Sequence, residues 1–256
     1  MQIGAQLFSA RNYLKDEAGI DAAFRKAKEA GYECVQYSGA PDGGDFCPET
    51  LKKIIDKYEM PVKLTHIAFE RLRDQTQNEI KKHLAIGCKN IGLGMMPREC
   101  LFDMDKLNKF IGDVRVIIDK LGEKGCKFFY HNHHIEFYKL PIGVTVFDYL
   151  LAKLPDLNIT LDTHWVQRGG ADVVDTIKKC AGRLECVHLK DYIINDKLEP
   201  AFAAVGEGNM NWSKILPAFE AAGTRYAFVE QDDAPDLGEP FDYLKISRVN
   251  LKSMRY

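Results

Sequence analysis

Short apolar runs alternate with longer stretches whose apolar residues recur every three or four positions, and the alternation repeats eight times along the chain. A brief apolar run bounded by turn residues reads as a buried strand, and the longer period reads as an amphipathic helix. The pattern predicts strands at Gln2–Phe8, Cys34–Tyr37, Val62–His66, Asn90–Gly94, Lys127–His131, Asn158–Leu161, Cys186–Leu189 and Tyr226–Glu230. It predicts helices at Gly19–Ala30, Pro48–Tyr58, Thr76–Ile86, Met104–Lys124, Val146–Lys153, Ala171–Cys180, Trp212–Ala222 and Phe241–Leu251. Gly31, Gly87, Gly125 and Gly223 each stand where a helix ends and a strand begins, a place that wants a left-handed residue.

Strict strand–helix alternation implies parallel strands joined by right-handed crossovers. Eight such units in 256 residues suit a closed barrel, which takes about 250 residues, better than an open doubly wound sheet. No Gly-x-Gly-x-x-Gly follows the first strand, which argues against a dinucleotide-binding sheet. The expected architecture is therefore α/β, a single (β/α)8 TIM barrel occupying residues 1–256 as one domain. No linker, low-complexity tract or charge run marks a second one. The longest irregular stretches are 39–47, 132–145, 193–211 and 231–239, and nearly all lie between a strand end and the next helix. Barrel enzymes carry their sites on that face.

Composition narrows the partners. With 46% hydrophobic and 28% charged residues, the chain can bury a full core. A net charge of −2 gives no electrostatic reason to expect nucleic acid or an anionic membrane. No stretch approaches the roughly 18 apolar residues of a membrane span, and the N-terminus reads as a strand rather than a signal peptide. Seven cysteines, an odd number without a Cys-x-x-Cys pair, fit reduced thiols in a cytoplasmic protein.

Histidine placement carries the chemistry. Six of seven histidines, His66, His131, His133, His134, His164 and His188, fall at or just past predicted strand ends. Only His83 lies on a helix, where a solvated face position is expected. Carboxylates join the six: Glu136, Asp162, Asp191 and Glu230. Acids at the ends of apolar strands are costly to bury unless paired or bound to a cation. Mixed carboxylate and imidazole ligands would suit divalent Mn, Co, Zn or Mg. Asp162 also has a plainer reading, as the N-cap of the next helix. No Gly-x-Ser-x-Gly elbow or Walker-type loop is present, and Gly206-Glu207-Gly208 reads first as a loop-shaping element. Arg11, Arg98, Arg168 and Lys190 are the basic residues near the rim, so a phosphorylated substrate is permitted but not demanded.

The runs Tyr130-His131-Asn132-His133 with Glu136-Phe137, Leu161-Asp162, Gly169-Gly170-Ala171-Asp172, His188-Leu189-Lys190-Asp191, Val205-Gly206-Glu207-Gly208 and Val229-Glu230-Gln231-Asp232 together resemble the xylose-isomerase-like barrel superfamily. That group includes sugar epimerases, inosose isomerases and dehydratases, and endonuclease IV. The resemblance implies one metal ion, Mn before Co, Zn or Mg, held at the ends of strands five to eight. Asp162, His188 and Glu230 match the last three ligand positions. The strand-five glutamate does not transfer, because the chain there reads His131-Asn132-His133. Either Glu136 curls back as fourth ligand, the reading preferred here, or His131 or His133 replaces it.

By the same resemblance Glu230 would also move protons, with His131 or His133 as the second acid–base group. His66, Asn132, His164, Trp165, Arg168 and Lys190 would line the substrate pocket. Trp165 either faces the substrate or packs under its loop, and Lys190 either anchors a substrate group or pairs with Asp191. The implied reaction is isomerisation or epimerisation of a keto-sugar or keto-polyol by proton abstraction next to the carbonyl. Dehydration of a keto-inositol or 3-keto-sugar is the alternative, and a barrel that binds sugar without turnover is a third. An endonuclease IV-like phosphodiesterase is disfavoured by the few basic rim residues. The expected partner is a small carbohydrate or polyol, not nucleic acid or a membrane, and a homo-oligomer is compatible with the sequence.

Overall fold

The computed structural model describes every residue from Met1 to Tyr256. Ten strands are present: β1 Gln2–Gln6, β2 Cys34–Tyr37, β3 Val62–His66, β4 Asn90–Leu93, β5 Lys127–His131, β6 Asn158–Thr160, β7 Cys186–Leu189, β8 Asp191–Ile194, β9 Pro200–Ala203 and β10 Tyr226–Val229. All except β8 and β9 form one parallel sheet in the order β6-β5-β4-β3-β2-β1-β10-β7. The two ends of that sheet meet, because the His188 N–H donates to the Leu161 carbonyl at 2.9 Å and Asp162 pairs with His188 in a parallel bridge. The eight strands thus form a (β/α)8 barrel, and its last seam is joined by two residues singled out for their chemistry.

Amphipathic helices wrap the outside. In the longest, Met104–Gly122, Asp103 accepts hydrogen bonds from the Asp105 and Lys106 N–H groups and so caps the first turn. Leu107, Phe110, Ile111, Val114, Ile117 and Leu121 recur at helical spacing and are buried, each worth about 1.5–3 kcal/mol of transfer free energy. Gly125 then turns the chain into β5 with φ 68°, a left-handed conformation that glycine adopts without strain.

The barrel interior is layered by the two-residue period of a strand. Cys34, Leu64, Phe129, Cys186 and Phe228 form a buried apolar cluster of their own. Two residues further along the same strands lie Gln36, His66, His131, His188 and Glu230. An apolar floor therefore sits directly beneath a polar layer at the C-terminal ends of the strands. Gly92 on β4 makes room in that layer: a Cβ there would lie 2.8 Å from the His66 ring.

Three expectations are corrected. The first strand ends at Gln6 rather than Phe8 and passes into a 3-10 helix over Leu7–Tyr13; the Gln6 side chain accepts the Phe8 N–H at 3.0 Å and turns the chain there. The stretch 193–211 is not irregular throughout, because β8 and β9 pair there as an antiparallel hairpin. Asp191 organises its base, accepting the N–H groups of Tyr192, Gly206, Gly208 and Met210 and the indole N–H of Trp212. His83 is not solvated but fully buried. Its ring bridges the Thr65 hydroxyl at 2.8 Å and the Glu79 carbonyl at 2.6 Å, which ties its helix to β3. No helix is long and apolar enough to cross a membrane.

Candidate active site

His131, Asp162, His188 and Glu230 stand at the ends of β5, β6, β7 and β10, and one donor atom from each lies within 4.8 Å of all the others. All four side chains are buried. His131 Nε2 is 3.1 Å from Asp162 Oδ2, and His188 Nδ1 is 2.8 Å from Glu230 Oε2 and 3.5 Å from Asp162 Oδ2. The other Asp162 oxygen accepts the Trp165 N–H at 3.0 Å. The aspartate therefore caps the following helix and faces the centre at once, so the two readings of it are compatible.

The far side of each imidazole fixes what it presents. His188 Nε2 lies 2.7 Å from Gln36 Oε1, and the Gln36 amide nitrogen donates onward to Ser38. The amide oxygen must then accept, so His188 Nε2 carries a proton and Nδ1 is the ring atom turned toward the two carboxylates. His131 Nδ1 lies 3.1 Å from the Gly94 carbonyl, which cannot donate, so that nitrogen carries the proton and Nε2 faces Asp162 bare. Two imidazole nitrogens and two carboxylates converge in a buried space that suits a cation. The donor set, with imidazoles oriented by hydrogen bonds on their far side, fits a divalent metal.

Lys190 supplies part of the required charge. Its ammonium, 1% exposed, sits 3.1 Å from Asp162, 2.9 Å from Glu230 and 3.0 Å from Asp232, with the Trp165 and Phe202 rings 5.3 and 5.7 Å away. Of the two readings of Lys190, pairing with Asp191 does not hold, since its partners are Asp162, Glu230 and Asp232. Burial works to raise the Asp162 carboxyl, but Lys190 and the two histidines outweigh it and hold the group well below the usual carboxylate range. Glu230 is likewise held low against burial, by Lys190 and His188. Asp232 is pushed up to about 7, chiefly by burial and then by the neighbouring carboxylates, with Lys190 opposing. Burial alone would lower His188, but Glu230 and Asp162 raise it above its ordinary value. Three carboxylates around one ammonium leave up to two negative charges, which protons or a divalent cation can meet.

Glu136 is not among the four. Its oxygens are taken by the Tyr130 hydroxyl at 2.5 Å and the His133 N–H at 2.7 Å, so it fixes the turn after β5. Burial raises it to about 7 against those hydrogen bonds. His131, not Glu136, occupies the fifth-strand place in the cluster. Beside it opens a cavity of about 530 Å³ lined by His66, His131, His133, Lys190, Glu230 and Asp232, among others. His66 is pulled well below its ordinary pKa by burial and by His131 and His188; His133 falls to about 2, mostly by burial.

The other expected lining residues lie behind this wall. The Asn132 amide oxygen accepts the Asp162 N–H, and His164 Nδ1 pairs with the Asp191 carbonyl. Trp165 stacks among His133, His134, His164 and Phe202. Arg168 is exposed, with its guanidinium 5.6 Å from the Trp165 ring centre. Gln36 and Asp232 went unnoticed as site residues. For Gln36 the available signal was a polar residue two positions after the inward Cys34; for Asp232 it was the acid pair flanking Gln231.

A family model described as xylose isomerase-like TIM barrel matches residues 24–247. An inosose dehydratase of Clostridium perfringens is 27% identical over 157 residues, covering 53% of this chain and 52% of the relative. The chain thus spans about half the length of the curated relatives it matches. A sugar phosphate isomerase/epimerase of Parabacteroides distasonis superposes with a TM-score of 0.80 at 22% identity over 98% of both chains. The probable 3-DHS dehydratase of Bacillus anthracis does so at 0.76 and 15% identity, over 98% of this chain and 99% of that one. At such identities these likenesses speak to fold.

Proposed function

We infer the chemistry of this pocket from one premise: the chain belongs to the xylose isomerase-like TIM barrel family. We propose that it is an enzyme acting on a keto-sugar or keto-polyol, that it removes a proton from the carbon next to the carbonyl, and that it returns an isomer or epimer. The observation that carries this reading is the buried four-donor cluster, with each imidazole held by a hydrogen bond on its far side, at the wall of a cavity of about 530 Å³. His131, Asp162, His188 and Glu230 would hold a divalent cation, Mn before Co, Zn or Mg. Bound there, the cation would polarise a carbonyl and stabilise the enediolate charge.

The remaining roles fall to the chain itself. Glu230 lines the cavity, and its carboxylate is kept ionised by Lys190 and His188, so it is the base. His131 Nδ1 is held by the Gly94 carbonyl and Nε2 faces Asp162 as one of the four donors, which leaves His133 as the second proton-handling group. His133 Nδ1 is buried without a partner, and burial keeps the ring neutral. His66, with a buried unpartnered Nε2, would hydrogen-bond a substrate hydroxyl.

Dehydration is the second reading, and a specific observation favours it. A two-faced epimerase wants carboxylates on both sides of the substrate, yet the end of β5 carries an imidazole. Glu230, once it has taken the α-proton, would return it to a hydroxide leaving from the same face as water, while Lys190 stays paired 2.9 Å away. Incubation in D2O with ketoses and keto-inositols tests both readings by NMR. The expected result is α-proton exchange that falls about 10²–10⁴-fold in Glu230→Gln, with an absorbing enone appearing only if the outcome is dehydration. Exchange unaffected by Glu230→Gln would rule out Glu230 as the base.

A further inference from the structure

The cavity has two unlike halves. The donor cluster and Lys190 come from the ends of β5, β6, β7 and β10, which are contiguous in the barrel. The other half carries an apolar wall beside the exposed Glu70 and Arg98: Phe8 follows β1, Ile67 and Phe69 follow β3, and Leu93, Met95 and Met96 lie at the end of β4 and just past it. Between these, the segment after β2 lines the space with Gly39, Gly43 and Gly44. A side chain at Gly44 would collide with the His66 carbonyl, so this edge presents backbone only and the space beside the apolar wall stays open.

Size and charge restrict what fits. A single sugar ring of roughly a dozen heavy atoms takes about 200 Å³ at interior packing density, less than half of the 530 Å³ available. Only two cations line the cavity, Lys190 and Arg98, against Glu70, Glu230 and Asp232. Lys190 is bound by three carboxylates, and Arg98 is exposed. A phosphate would find no buried cationic side chain free to bind it, whereas an apolar group would find a wall already built.

We propose that the substrate is an uncharged hydroxylated ring ketone bearing an apolar substituent, with the ring at the donor cluster and the substituent against Phe8, Phe69, Met95 and Met96. The inference rests on the reading of that cluster as the place where the ketone binds. Its test uses binding rather than turnover. Phenyl β-D-glucoside, methyl β-D-glucoside and glucose 6-phosphate, unreactive analogues in which a ring hydroxyl stands in for the ketone oxygen, are titrated calorimetrically into metal-free and Mn-treated protein.

The phenyl glucoside is expected to bind at least about tenfold more tightly than the methyl glucoside, as burying an aromatic ring should give. Glucose 6-phosphate is expected to bind most weakly. Met95→Ala, at a side chain that is 39% exposed, and Phe69→Leu should each shrink the phenyl preference and leave methyl glucoside affinity unchanged. Equal affinity for the two glucosides, undetectable binding of the phenyl glucoside, or preferred binding of glucose 6-phosphate would overturn the proposal. A retained phenyl preference without Glu230-dependent exchange would sink the proposed reaction alone. Lost preference with exchange intact would sink the substrate class alone.

Discussion

Replacing Lys190 by methionine keeps the length and apolar stem of the side chain and deletes its charge. In the native protein that charge is buried within 3.1 Å of Asp162, Glu230 and Asp232. Removing one partner of a buried ion pair costs about 3–5 kcal/mol, because the other charge is left behind. For a chain of this size each kcal/mol moves the melting temperature by about 2–4 °C, so the metal-free variant should melt about 6–20 °C lower. A cation present at a hundred times its Kd returns about 2.7 kcal/mol to any protein that binds it only when folded. In Lys190→Met it also replaces the lost ammonium, so the rise on adding Mn should be larger than in wild type. Scanning calorimetry of both proteins, with chelator and with Mn, measures the four values. Equal melting temperatures without metal, or equal rises with it, would refute the role of Lys190 as the internal cation of the site.

Gln36→Leu should leave the fold intact but lower metal affinity about 10–100-fold, because nothing then fixes the His188 proton on Nε2; a competitive chelator titration reads this. Burial drops His83 from 6.5 to about 4. The folded value lies below the unfolded one, so stability is full above about pH 6.5 and declines as pH falls towards 4, by up to about 3 kcal/mol. Denaturant melts across that range should show the decline, and His83→Gln should flatten it. Phe129→Ala, in the apolar floor beneath His131, should cost about 3–5 kcal/mol by urea unfolding.

The barrel was legible because each strand is short, apolar and bounded by turn residues, and because the glycines before β2, β4, β5 and β10 take the left-handed conformation that their position demands. Asp162, His188 and Glu230 could be read as a group for a related reason: strand ends in a barrel converge, so residue type plus register fixes neighbours. Glu136 could not be placed, because its place depends on a turn held by the Tyr130 hydroxyl and the His133 N–H, contacts with no linear signature. His83 misled for the opposite reason. A histidine on a helix looks solvated unless its partner, here Thr65 on the preceding strand, is known. The hairpin of β8 and β9 was hidden because Asp191, rather than a turn motif, ties its base.

That four donors hold one divalent cation is tested most directly by metal content per chain after Mn loading and dialysis. Wild type and Glu136→Gln should each retain about one ion, since Glu136 is committed to its turn, whereas His131→Ala, Asp162→Ala and His188→Ala should retain almost none. A site emptied by Glu136→Gln but kept by His131→Ala, or equal trace metal in every protein, would contradict it.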